Sequence, residues 1–332
     1  MRHSEWYHIQ GLILVFIFFL SACGGDKELG LSLEEEFLEE GVPFDKLGSG
    51  KIVFDREGHV YVIDVAKRRS WWIDNLRNEL TKAPMVSPDG SKIAFSLWTD
   101  SNNWDIHVMN IDGSDIQNIS NHEGTDRQPS WTPDSNEVLF YYYVDRTLYR
   151  QSLVSNPPDR QAIRDFSAEG SMYSPVSVSK NFKLVFCLSN RIHTMNLDGT
   201  SLNPIETEIP GGILVGRSPC WSPDGQSIAC VLPGDWIDDQ WTSLGVMVMD
   251  ADGKNARSLG NFEMNSYGGW YGSLPGTNDF SICWSPDGSK LLFSKIDGYL
   301  TSHIYLINAD GTGLSQVTFA DGKWDRSLSW SY

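Results

Sequence analysis

The sequence predicts an all-β protein: a six-bladed β-propeller of four-stranded antiparallel blades. The C-terminal strand closes the ring, and a short N-terminal tether precedes it. Three observations predict this. The segment Ser-Pro-Asp-Gly recurs at 87–90, 222–225 and 285–288, with Thr132-Pro133-Asp134-Ser135 as a variant. A second motif keeps step: Ile-His-Val-Met-Asn-Ile-Asp-Gly (106–113), Ile-His-Thr-Met-Asn-Leu-Asp-Gly (192–199), Val-Met-Val-Met-Asp-Ala-Asp-Gly (246–253) and Ile-Tyr-Leu-Ile-Asn-Ala-Asp-Gly (304–311). The repeat region also begins and ends on complementary fragments of one repeat.

The chain opens on an address. Residues 11–20 form a ten-residue apolar run. A membrane span needs about 20 residues, so the run fits the core of a signal peptide. Leu20-Ser21-Ala22-Cys23 follows and resembles the bacterial lipobox, in which cleavage precedes the cysteine and its thiol carries a diacylglyceryl group. Residues 1–22 are thus expected to be a lipoprotein signal peptide and Cys23 the lipidated residue. Each buried acyl CH₂ then contributes about 0.8 kcal/mol of membrane affinity. Gly24, a non-Asp residue, implies outer-membrane delivery in a cell with two membranes. Residues 23–48 read as a lipidated tether. Ser32 and Glu35 form a possible capping box, Leu33 and Phe37 lie one turn apart, and Gly41 can end a helix, so a short acidic helix is expected at 33–40.

The repeats follow. Each turn motif precedes a short apolar run ending in a bulky residue, and Phe54, Phe95, Phe140, Phe186 and Cys230 stand 41 to 46 residues apart, with Phe293 a further 63 on. Pro sets φ for the first turn, Asp accepts local N–H bonds, and Gly supplies φ > 0. Asp-Gly after the third strand is a hairpin signal. A four-stranded blade cannot bury both faces alone, and stacking blades round an axis does so. Trp131, Trp221, Trp284 and Trp330 hold one position on the first strand and are expected to wedge between blades. Full repeats occupy 82–120, 126–165, 172–207, 216–259 and 279–318. Lys51–Phe54, Val60–Asp64 and Arg69–Ile73 lack a first strand, and residues 326–332 are a first strand with nothing after it. Together they make the sixth blade of a 49–332 propeller, about 47 residues per blade.

These motifs resemble the TolB-type, WD-like propeller repeats of bacterial envelope proteins, over nearly all of 50–332. The resemblance implies a six-bladed ring. It departs in two places. The 26 residues from 23 to 48 cannot hold the separate α/β domain that precedes the propeller in TolB. The fourth blade carries Val178-Ser179-Lys180-Asn181 in place of the turn motif.

Composition excludes several classes. Charged residues make up 21% and hydrophobic residues 40%, unlike a disordered chain. A net charge of −17 argues against nucleic-acid binding, which draws its affinity from Lys and Arg. No Gly-x-Ser-x-Gly elbow, His-Glu-x-x-His or paired Cys-x-x-Cys occurs, so no enzyme, metal or cofactor is expected. Asp250-Ala251-Asp252-Gly253 places Gly too early for a calcium loop. His107 and His193 share one repeat position, filled by Tyr61 and Tyr305 elsewhere; His59 and His303 share another, and both pairs read as blade packing. His122 alone falls in a loop near the mouth. Cys187, Cys220, Cys230 and Cys283 fit small apolar roles, although Cys220 and Cys230 lie on adjacent strands and can be weighed as a disulfide in an oxidising compartment.

A partner is expected on the face carrying the second-to-third and fourth-to-first strand loops, the top face. Two long insertions fall there: 232–243 with Trp236, Asp238, Asp239 and Trp241, and 260–278 with Tyr267, Trp270 and Tyr271. Trp98 and Trp104 border a loop of the second blade, and Trp324 lies near the closure. Exposed aromatics beside carboxylates suit a protein interface or sugar stacking. Five residues before the wedge tryptophan stand Asp126, Asp279 and Asp325, and four before stand Arg127, Arg217 and Arg326. These should ring the channel mouth, as a site or as mutually paired structure. The expected function is a membrane-anchored envelope scaffold that binds another envelope protein. A carbohydrate-binding or lyase-like propeller is the alternative.

Overall fold

Each repeat folds into one four-stranded antiparallel sheet, and the first of them is completed from the far end of the chain. Blade 1 has the strand Asp325–Ser331 on its inner edge, then Lys51–Arg56, His59–Asp64 and Arg69–Trp72. Blade 2 runs Thr81–Val86, Lys92–Trp98, Trp104–Asn110 and Gln117–Asn118. Blade 3 runs Asp126–Trp131, Glu137–Tyr142, Thr147–Ser152 and Arg160–Asp165. Blade 4 runs Ser177–Val178, Lys183–Leu188, Arg191–Asn196 and Asn203–Pro204. Blade 5 runs Arg217–Trp221, Ser227–Pro233, Ser243–Asp250 and Arg257–Glu263, and blade 6 runs Ile282–Trp284, Lys290–Gly298, Thr301–Asn308 and Ser315–Gln316. This computed structural model describes residues 41–331 except 74–75, 77–80, 99–102, 156–158, 173, 207–216, 234–235, 238–239, 242, 264–280 and 299–300, with backbone alone at 233, 236–237, 240–241 and 297–298. Cys23 and the helix expected at 33–40 lie outside the described residues.

One cross-strand pair recurs inside the blades. Phe54 faces Tyr61, Phe95 faces His107, Phe140 faces Tyr149, Phe186 faces His193 and Phe293 faces Tyr305, each directly across the second and third strands. Their rings stack with centroids 5.4 to 6.2 Å apart. All five phenylalanines are fully buried. Blade 5 fills the same pair with Cys230 and Met247, two polarizable side chains in place of two rings. His107 and His193 are therefore stacking partners of core phenylalanines.

Apolar clusters then join each blade to the next. Ala94, Ile106 and Val108 of blade 2 pack on Trp131, Val138 and Phe140 of blade 3. Equivalent clusters join blades 1 and 2, 3 and 4, 4 and 5, 5 and 6, and 6 and 1. The wedge tryptophans belong to these seams and are at most 8% exposed. Trp131 Nε1 donates to Met85 O of the preceding blade at 2.8 Å, and Trp330 Nε1 donates to Ser49 O at 2.9 Å. In these two, burial of the ring and satisfaction of its one donor are met together, whereas Trp221 Nε1 is buried without a hydrogen-bond partner among the described residues.

The fourth-blade turn keeps its chemistry in shorter form. In blade 2, Ser87 Oγ accepts from Lys92 N and Ser87 O from Gly90 N. In blade 4, Ser179 Oγ accepts from Lys183 N and Ser179 O from Phe182 N. Phe182 takes φ 59°, where the motif uses Gly. The turns also hold a recurring set of carboxylates. The Ser222 hydroxyl holds the Asp224 carboxyl below its usual range, and the Ser114, Thr200 and Thr312 hydroxyls do the same for Asp112, Asp198 and Asp310. Ser285 and Ser289 bring Asp287 down to about 2.

A helix of one turn, α1 (Phe44–Leu47), stands between Pro43 and Gly48. Val42, Leu47 and Phe44 enter the cluster that joins blade 6 to blade 1. Arg68 pairs with Asp45 at 2.7 Å. The end of the tether therefore packs into the seam that the C-terminal strand closes.

Candidate interaction face

The inner strands change direction at one shared place. In blades 1, 2, 3 and 5 the register of the first strand slips against its neighbour, opposite Phe54, Phe95, Phe140 and Cys230. Each bulge holds a non-glycine residue in the left-handed region: Ser327 (φ 51°), Ala83 (51°), Gln128 (62°) and Ser218 (49°). Proline follows at 84, 129 and 219, where an inner edge strand has no partner for the missing N–H. The residue before each bulge is a cation: Arg326, Lys82, Arg127 and Arg217. Lys82 escapes a count made from the tryptophan, because Val86 holds that position in blade 2. It stands four residues before Val86, the same offset as the three arginines.

The cations are linked across blades. Arg326 Nε lies 3.9 Å from Asp55 Oδ1. The charge of Lys82 also acts on Asp55. Lys82 Nζ then stands 5.3 Å from the centroid of the Trp104 ring, and the Arg127 guanidinium lies 5.0 Å from the same centroid and 5.7 Å from that of Tyr143. Lys82 is exposed, and Arg127, Arg217 and Arg326 are half-buried.

The acids expected beside them are withdrawn. Asp325 and Asp126 are fully buried. Asp325 is bound at two points by Arg56, Nε to Oδ1 at 2.6 Å and Nη2 to Oδ2 at 2.9 Å. In blade 3 the residue facing Asp126 is Tyr142, so no such arginine is available. Both Asp126 oxygens are buried without a hydrogen-bond partner among the described residues, and Arg160 stands 3.9 Å away. Burial pushes the Asp126 carboxyl up to about 7, against the pull of Arg160. Burial likewise pushes Asp55 up to about 7, against Arg326 and Lys82. An arginine and an aspartate adjacent in sequence thus part ways: the aspartate turns into the blade and the cation stays at the rim.

The aromatic residues divide as well. Trp98 is 37% exposed at the top of blade 2 and meets Trp104 edge to face, centroids 5.4 Å apart. Trp104 itself corrects the expectation of an exposed loop aromatic. It is buried, because Lys82 and Arg127 lie over its ring. Trp324 is half-buried, makes an isolated parallel bridge to Ser302, and has Arg326 5.8 Å from its ring centroid. Trp236 and Trp241 face each other in a two-stranded hairpin, Trp236–Ile237 against Gln240–Trp241, inserted on the top side of blade 5. Asp238, Asp239, Tyr267, Trp270, Tyr271 and Asp279 lie outside the described residues.

Below the bulges runs an axial cavity of about 310 Å³. Every blade contributes its first strand, the bulge residues Ala83, Ser218 and Ser327 at one end and Pro88, Pro133, Pro223 and Pro286 at the other. Cys220 and Cys283 flank it. Cys220 pairs in register with Ala229, so side-chain alternation places Cys220 and Cys230 on opposite faces of blade 5 and no disulfide joins them. Among the described residues no group of His, Cys, Asp or Glu is placed to hold a metal ion.

A family model described as the TolB beta propeller domain matches residues 53–265. A search of curated protein sequences found no match. Among solved structures, TolB from Acinetobacter baumannii aligns with a TM-score of 0.67 at 16% identity, over 88% of this chain and 68% of that one. A putative TolB from Agrobacterium tumefaciens aligns at 0.56 and 20% identity, over 78% and 86%. Hydrazine synthase of Kuenenia stuttgartiensis aligns at 0.61 and 15% identity, over 86% of this chain and 46% of that one. At these identities the likeness is one of fold.

Proposed function

The chain belongs to the TolB beta propeller family, and from that premise we propose that it is a membrane-anchored envelope lipoprotein whose propeller acts as a protein-binding scaffold, with the top face contacting a partner. The observation that carries the reading is the asymmetry between the two faces. The face opposite the top is built of tight turns closed by their own side chains, as at Ser87–Lys92. The top side carries the inserted hairpin, the exposed Trp98 and the cationic rim. Aromatic and arginine side chains on a rigid support are what protein interfaces use most.

The lipobox at Leu20–Cys23 supports anchoring through Cys23, and the resemblance to envelope-protein repeats supports an extracytoplasmic location. Among the described residues no helix is long and apolar enough to cross a membrane. Affinity purification of the lipidated chain from its own cells tests it. Wild type should retain one or more envelope proteins. A chain with Trp98, Trp236 and Trp241 changed to alanine should lose them while keeping its thermal midpoint. Full retention by that variant would remove the top face from the account. A Cys23→Ala chain that still partitions with membranes would remove the anchor.

A further inference from the structure

The chain holds nine Asp-Gly steps. Glycine offers the carboxyl before it an unhindered nitrogen, so the main chain at such a step can rearrange without an enzyme. Seven of the nine lie in the repeat turns, with Asp at 89, 112, 198, 224, 252, 287 and 310. All seven are held by the same two bonds. The glycine N–H donates to the carbonyl three residues before it, as Gly113 does to Asn110 O at 2.9 Å. The aspartate Oδ1 accepts from the N–H two residues after it, as Asp112 does from Ser114 N at 3.0 Å. In six of the seven a hydroxyl donates to the same oxygen at 2.6 to 2.7 Å. The carboxyl carbon therefore cannot swing onto the glycine nitrogen without breaking these bonds. Five of the glycines are also walled in by the preceding blade. A Cβ on Gly253, for example, would stand 2.5 Å from Ile205.

The eighth step, Asp297-Gly298, ends the strand Lys290–Gly298, and Gly298 pairs there with Thr301. The ninth, Asp321-Gly322, has neither device. Both of its residues are exposed. The Asp321 carboxyl takes no hydrogen bond among the described residues. The Gly322 N–H donates to the Thr301 hydroxyl at 3.1 Å, and a Cβ on Gly322 would meet no atom within 4 Å.

We infer that Asp321 is the site at which the folded chain forms isoaspartate. The Gly322 nitrogen attacks Asp321 Cγ. A C–N bond forms, the C–OH bond of the carboxyl breaks, and the hydroxyl leaves with the amide proton as water. Water then opens the five-membered succinimide. Opening at the main-chain carbonyl leaves the chain running through Cγ, longer by one methylene. One water leaves and one enters, and no oxidant is needed. The added methylene falls just before the closing strand Asp325–Ser331. It lies beside Lys323, whose carbonyl accepts from Ser302 N at 2.9 Å and whose ammonium pairs with Glu57 of blade 1.

The test ages the folded full chain in detergent at neutral pH for several weeks. Peptide mapping with electron-transfer fragmentation then separates isoaspartate from aspartate at each step. Isoaspartate should accumulate at 321 about tenfold or more faster than at any of the seven turn positions. Gly322→Ala, which hinders the nitrogen, should slow it several-fold. In urea, where the turn bonds are gone, the seven should convert at a rate close to that of 321. The assignment is overturned if 321 converts no faster than the turns in the folded chain, or if Gly322→Ala converts as fast as wild type. Turn aspartates that stay slow in urea would show that the turn bonds are not what protects them, and would count against it equally.

Discussion

Arg56 and Asp325 form a two-point ion pair across the closing seam, 269 residues apart in the chain and joined at 2.6 and 2.9 Å. Both side chains are buried, and the Arg56 guanidinium also lies over the Tyr61 ring at 4.8 Å. The pair therefore fastens the C-terminal strand to Lys51–Arg56 at its top end. Removing one partner leaves a buried charge unmatched.

Arg56→Ala should consequently cost about 3–5 kcal/mol of stability, and replacing both partners with apolar residues of similar size, Arg56→Met with Asp325→Leu, should recover most of it. Urea denaturation followed by tryptophan fluorescence reads both. Equal loss in the single and double variants would mean that the ion pair is not what holds the seam.

This fastening was not legible in the sequence, and the reason is physical. A turn states its geometry locally: Ser87 Oγ donates to Asp89 Oδ1, and both residues lie inside the motif. The Phe95 and His107 pair was half legible, because each held a constant repeat position while their contact needed the register. Arg56 and Asp325 carry no shared signal at all. The bulges were hidden for another reason. Left-handed backbone is announced by glycine, and here Ala83, Gln128, Ser218 and Ser327 adopt it. Asp126 and Arg127 read as two rim charges by their sequence offset, whereas alternation along the strand turns Asp126 inward and leaves Arg127 at the rim.

Asp126 should make stability fall as pH rises. Its folded carboxyl titrates near 7 because burial disfavours the charge, whereas the unfolded group titrates at 3.8. Between these values the folded state holds a proton that the unfolded state has released, so folding weakens across that window and stays weaker above it. Asp126→Asn removes the charge and keeps the shape. It should raise the melting temperature by a few degrees at pH 8 and change it little at pH 4. A variant that melts below wild type at pH 8 would show that the ionised form is the stabilising one. Asp55 works in the same direction, so the wild-type slope should be reduced but not abolished.

The four propeller cysteines should resist chemistry in the native state. Burial pushes Cys187 up to about 11 and Cys230 up to about 12, and it raises Cys220 and Cys283 as well. Thiolate is then scarce at pH 8, and thiolate is the reactive form. Iodoacetamide should modify none of the four in the folded protein over minutes and all four in urea. A non-reducing gel should show no change in mobility. A peptide containing Cys220 linked to Cys230 would contradict their placement on opposite faces of blade 5.

The tryptophans should separate into two classes by cost. Trp131→Ala removes a seam ring that is 5% exposed and orphans the Met85 carbonyl, so about 3–5 kcal/mol should be lost. Trp98→Ala, at 37% exposure, should cost well under half of that. Thermal melts of the two variants check this. Similar losses would mean that Trp98 serves the fold and is not available to a partner.

The central claim is that one face of the ring meets the partner. Site-specific photo-crosslinking in living cells tests it most directly, with the photoreactive residue placed at Trp98 or at Phe182. Both side chains are exposed, at 37% and 41%, and they lie on opposite faces. The account predicts a discrete crosslinked species from position 98 and none from position 182. A species from 182 with silence at 98 would contradict it.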